Sequence, residues 1–138
     1  MALTGHFHPL LVHFPIALVL IAAVAELVFL ITQFPEWHLV AVANIRAGAA
    51  FAVASAGAGW ILASSRIVEA SPDLEWHRWL GSAAAVAAIG AALATADMDR
   101  PPRRLWLYRI ALFWAAALVA VAGHFGAVLV WGANFLRP

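Results

Sequence analysis

Cysteine is absent from the 138 residues. Disulfides, thiolate metal sites, iron–sulfur clusters and covalently attached c-type haem are therefore excluded, and any metal or haem must be held by His, Met or oxygen ligands. Lysine is absent too: all eight basic residues are Arg, set against seven acidic ones for a formal net charge of +1. Such a balance builds no basic surface and excludes a nucleic-acid partner. No Ser stands with a His and an Asp in a nucleophilic constellation. Charged residues make up only 11% of the chain, whereas 65% is hydrophobic and the mean hydropathy is +0.91. That composition is foreign to soluble domains and reads as an all-α integral membrane protein in contact with lipid.

Four apolar stretches, approximately 9–32, 38–63, 76–96 and 105–131, each approach the roughly 20 residues that cross a hydrocarbon core of about 30 Å. The connections 33–37, 64–75 and 97–104 are short, which predicts one domain over 1–138, an antiparallel four-helix transmembrane bundle with both termini on one side. No basic segment precedes the first stretch, so it does not read as a cleavable signal peptide. Arginine counts set the orientation. The third connection and its flank carry Arg100, Arg103, Arg104 and Arg109, which marks that side as cytoplasmic. The opposite side holds Arg66, Arg78 and Arg137 together with Glu69, Asp73 and Glu75, so both termini are expected in the periplasm of a bacterial inner membrane. Trp76, Trp79 and Trp131 on one side, and Trp37 and Trp106 on the other, supply the two aromatic belts.

Antiparallel helices convert sequence position into depth at about 1.5 Å per residue. His8, His13, His77 and His124 then all fall in the periplasmic half, and His38 reads as an interfacial histidine with no special role. His8 alone is explained by a helix start at Pro9, and His77 alone by an interfacial position beside Trp76 and Arg78. His13 and His124 lie inside spans, where an imidazole needs a reason to be. Gly123 and Gly126 bracket His124 and leave room for a flat group. In the other half, Glu26 and Arg46 lie on either side of the first turn and are expected to pair as a lock between the first two helices. The functional alternative for that pair is a proton or quinone site.

Haem is the best chemical match to histidines scattered over three helices, since a bundle core can grip a planar cofactor between two axial imidazoles. The expected ligands are His13 and His124. His8 and His77 form a shallower tier that ligates a second haem or metal, or bonds propionates and a bound quinone, with Arg66 and Arg78 contacting propionates. One haem b or two are expected, with no catalytic residue assigned.

The segments HFHPLLVHFPIAL, LEWHRWLG and AGHFGAVLVWGANFL resemble the signatures of an uncharacterised bacterial family of membrane domains, a domain of unknown function described as a predicted membrane protein. The resemblance covers essentially the whole chain and implies a four-helix module that occurs alone or alongside c-type cytochrome domains. On that match His8, His13, His77 and His124 occupy family-typical histidine positions. Ala127 stands where the family usually has a second glycine, and Trp131 where one subgroup has another histidine, so a ligand of that subgroup is missing.

The resulting expectation is a b-type haem electron-transfer subunit between the quinone pool and a periplasmic c-type cytochrome or dehydrogenase. Two other readings remain open: a cofactor-free anchor or accessory subunit of a larger redox or membrane complex, and a histidine-ligated divalent-metal site.

Overall fold

The computed structural model describes residues 7–65, 68–97, 102–132 and 134. Four long helices follow one another: α1 (His8–Thr32), α2 (Pro35–Ala63), α3 (Pro72–Ala94) and α4 (Pro102–Trp131), with a short 3-10 turn at Thr95–Asp97 after α3. Three of them, α1, α2 and α4, are long and apolar enough to cross a membrane. Among the described residues the expectation of four such spans is thus met by three. Helix α3 has 23 residues, but it is rich in alanine and carries Asp73, Glu75, His77 and Arg78 in its first turns, which lowers its hydropathy.

Proline opens every helix, at Pro9, Pro35, Pro72 and Pro102. Its missing N–H is no loss there and its fixed φ suits the first turn. Helix α1 has a hitch at Val12, between His8–Leu11 and His13–Thr32. Pro15 explains it, because it cannot donate to the Leu11 carbonyl four residues back. At the other end of α1, Gln33 adopts the left-handed conformation (φ 57°) and donates its side-chain amide to the carbonyl of Leu30 at 2.8 Å. The cost of that backbone state is offset by satisfying orphan helix carbonyls. Only Gln33 and Phe34 separate α1 from α2, so α2 begins three residues earlier than its hydropathy suggests. Helix α3 is capped by Ser71, whose hydroxyl accepts from the Leu74 N–H at 3.2 Å.

Each helix buries a seam with alternating three- and four-residue spacing. On α1 it comprises His8, Pro15, Val19, Ala22 and Glu26, and on α3 His77, Ala84, Ala88, Ala91 and Thr95, at identical intervals; all but the two histidines are buried. On α2 the seam is Ala41, Ile45, Gly48, Ala52, Ser55 and Gly59, and on α4 Tyr108, Leu112, Ala115, Val119, Ala122 and Gly126, again at identical intervals; Gly59 and Gly126 are half-buried and the rest buried. The α1–α2 hairpin is thereby repeated as α3–α4. The small residues of the seams let backbones approach closely, as suits a setting where apolar surface alone gives helices no reason to associate. Gly48 is the tightest example in the core, since a Cβ there would lie 3.1 Å from Val19 Cγ2. Outside, Ile31, Val86, Leu107 and Val130 are exposed, so large apolar side chains face outward as well as inward.

Candidate functional site

The helical phase of the seams decides which histidines face inward. His8 shares its face with Val19, Ala22 and Glu26, and His77 shares its face with Ala84, Ala88 and Ala91. Their ring centroids stand 5.9 Å apart with an interplanar angle of 77°. His13 and His124 lie out of phase with their seams and are exposed; His124 makes a ring contact with Phe125 at 5.8 Å. The expected hierarchy is therefore reversed: the structure brings together the pair expected in the shallower tier, and the pair expected to be deep stands on exposed faces.

Each inward imidazole is held in the same way. His8 Nδ1 donates to the Ser55 carbonyl on α2 at 2.9 Å, and His77 Nδ1 donates to the Ala122 carbonyl on α4 at 2.8 Å. A carbonyl can only accept, so both Nδ1 atoms carry the hydrogen and both Nε2 atoms are the uncommitted nitrogens. Each ring rests on a glycine. A Cβ at Gly59 would lie 2.8 Å from His8 Cε1, and a Cβ at Gly126 would lie 3.0 Å from His77 Cε1. Gly126, expected with Gly123 to leave room for a flat group, thus makes room for the His77 imidazole, whereas a Cβ at Gly123 would meet only Ile16 Cδ1 at 3.9 Å.

Arg78, next to His77, places its guanidinium 3.9 Å from the centroid of the Trp60 ring. Among the described residues its buried Nε has no hydrogen-bond partner, a donor that calls for an acceptor. Trp60 in turn donates to Ser82 at 2.9 Å and meets Trp79 edge to face. Arg66, the other residue expected to contact a propionate, lies outside the described residues, as do Arg100 and Arg137.

The far end of α1 holds a second polar cluster. Glu26 is 0% exposed, and its carboxylate accepts from Arg109 Nε at 2.8 Å, from His38 Nδ1 at 2.6 Å and from the Tyr108 hydroxyl at 3.3 Å. The expected Glu26–Arg46 lock is corrected here. With a two-residue turn, the part of α2 level with Glu26 is near Ala41, and Arg46 lies about 7 Å farther along. Arg46 instead donates to the Thr95 hydroxyl at 2.8 Å and the Thr95 carbonyl at 3.0 Å, capping the end of α3. His38, read from sequence as an interfacial bystander, is a partner of the buried carboxylate. Arg109, counted from sequence among the loop arginines, points inward and neutralises it. Among the described residues no group of three or more His, Cys, Asp or Glu converges to hold an ion.

A family model described as "Predicted membrane protein (DUF2231)" matches residues 5–135. No curated protein matches the chain, and no solved structure does.

Proposed function

The chain belongs to the DUF2231 family of predicted membrane proteins, and on that footing we propose that it is a membrane-embedded electron-transfer module whose redox centre is a haem b ligated by His8 and His77. The observation that carries the proposal is the pair of imidazoles, 5.9 Å apart between centroids, with both Nδ1 hydrogens committed to backbone carbonyls. Nε2, the nitrogen that each ring keeps available once its Nδ1 is bonded to a carbonyl, is the atom that would hold the iron. Tying the distal ring nitrogen to a carbonyl is how proteins fix the tautomer and orientation of a ligating histidine.

Donor count favours haem over a bare ion. A zinc-type site needs three or four protein ligands, whereas the porphyrin brings its own four nitrogens and asks the chain for two axial ones. The buried Nε of Arg78, without a partner among the described residues, supplies the second support, since a propionate carboxylate beside it would complete its hydrogen bonding. When bound, the haem supplies one-electron chemistry. The chain's part is to hold the two imidazoles on α1 and α3, to seat them against Gly59 and Gly126, and to offer Arg78 to the carboxylate.

In this reading the molecule is an antiparallel transmembrane bundle in the bacterial inner membrane with both termini periplasmic, so the His8–His77 end faces the periplasm. A c-type cytochrome or a dehydrogenase is the proposed partner there, and the quinone pool the other electron partner. The test is the absorption spectrum of the protein purified in detergent, with a pyridine haemochrome assay. A Soret band and b-type haemochrome, lost in His8→Ala and in His77→Ala, are expected. A colourless protein would make the two rings ties between helices and the chain a cofactor-free anchor; zinc or copper without iron would make the pair part of a metal site.

A further inference from the structure

Eighteen residues beyond His8, about 27 Å along α1, the Glu26 cluster borders a groove between α1 and α4. The groove has a volume of about 470 Å³ and is walled by Leu30, Trp106, Ile110, Phe113 and Trp114, with Arg109 as its charged member. It is an open groove rather than an enclosed cavity, and it combines apolar walls with one polar anchor, the make-up of small-molecule sites. We propose that this groove binds a neutral, lipophilic quinone, with a ring carbonyl accepting from Arg109.

Charge decides the class of ligand. Arg109 already faces the buried Glu26 carboxylate at 2.8 Å, so the pair is electrically balanced. An anionic headgroup would bring a second negative charge beside Glu26 in a medium of low dielectric, where like charges repel strongly. A neutral acceptor meets no such penalty. Only Nε of Arg109 is committed to Glu26 among the described residues, and the guanidinium has further N–H donors to offer. Shape points the same way: Trp106, Phe113 and Trp114 give aromatic faces to a flat ring, and the walls beyond them are apolar enough for an isoprenoid-type tail. Behind Arg109, His38 and Tyr108 share the same carboxylate, and Arg109 is the one member of that cluster that lines the groove. The site needs neither His8 nor His77 and stands apart from the haem reading.

The experiment is photolabelling of the full chain in phosphatidylcholine liposomes with a short-tailed azidobenzoquinone, followed by peptide mapping. Label is expected to concentrate on residues 106–117, to be competed by unlabelled short-tailed quinone and not by added phosphatidylglycerol. It should fall about tenfold in Arg109→Lys, which keeps the charge for Glu26 but loses the planar donor fork. Trp114→Ala alters an exposed wall residue outside the buried core and should lower the labelling as well, with helix content unchanged by circular dichroism. Label spread evenly over the helices, competition by phosphatidylglycerol, or full labelling of Trp114→Ala would overturn the proposal.

Discussion

Placing an alanine at Gly59 tests whether the His8 ring is seated as described. In a helix, Gly→Ala by itself stabilises by about 1 kcal/mol. At Gly57 a Cβ meets nothing within 4 Å, so that gain is the whole effect expected there. At Gly59 the Cβ lands 2.8 Å from His8 Cε1 and 3.0 Å from Nδ1, about 1 Å inside an ordinary contact. The imidazole has to retreat by that amount, which takes its 2.9 Å bond to the Ser55 carbonyl out of range. Losing the bond costs about 1 kcal/mol, and the ring, being the end of a flexible side chain, can swing aside for little more. Gly59→Ala is therefore expected to be near neutral, about 1–2 kcal/mol less stable than Gly57→Ala. Thermal unfolding in detergent, followed by circular dichroism, reads the difference. A double-mutant cycle isolates the cause: in a His8→Ala background Gly59→Ala should recover the gain seen at Gly57. If Gly59→Ala stabilises as much as Gly57→Ala in the wild-type background, the ring does not rest on that glycine.

Glu26→Ala should destabilise by about 3–5 kcal/mol, because it leaves the Arg109 charge without its counter-ion in the interior. Arg46→Ala, which removes only a cap on Thr95, should cost about 1 kcal/mol; equal losses for the two in unfolding experiments would restore the Glu26–Arg46 pairing. Ser71→Ala should cost about 1 kcal/mol through loss of the α3 N-cap, visible as a lower melting temperature and earlier hydrogen exchange at Leu74. Ala88→Leu, at a fully buried seam position, should overpack the core by about 1–3 kcal/mol, whereas Ala83→Leu on the exposed face of the same helix should change the melting temperature little.

Helix number and approximate limits were legible because length and hydropathy are local properties, and the proline and Ser71 signals at the helix starts are local too. The pairing of side chains was not local. Depth put His8 and His77 in one tier, and the structure brings those two together, but depth says nothing of which way a side chain faces. Phase does, and it was present in the sequence: His8 falls in step with Val19, Ala22 and Glu26, His77 in step with Ala84, Ala88 and Ala91, and His13 and His124 in step with neither seam. The repeat of one hairpin in the other, with Thr95 at the place of Glu26, was hidden because alanine and glycine carry little sequence signal. The partners of Glu26 were hidden for another reason. His38 lies in the first turns of a helix that starts earlier than hydropathy indicates, and Arg109 resembles the arginines of the loop before it. Only the closing of α4 against α1 distinguishes a buried counter-ion from a topology signal.

The most direct measurement is the oxidised and reduced absorption spectrum of the purified protein alongside the four single variants His8→Ala, His77→Ala, His13→Ala and His124→Ala. The account predicts a low-spin, b-type spectrum that survives in His13→Ala and His124→Ala and is lost in His8→Ala and His77→Ala. Loss confined to His13→Ala and His124→Ala, or a wild-type protein with no Soret band, would contradict it.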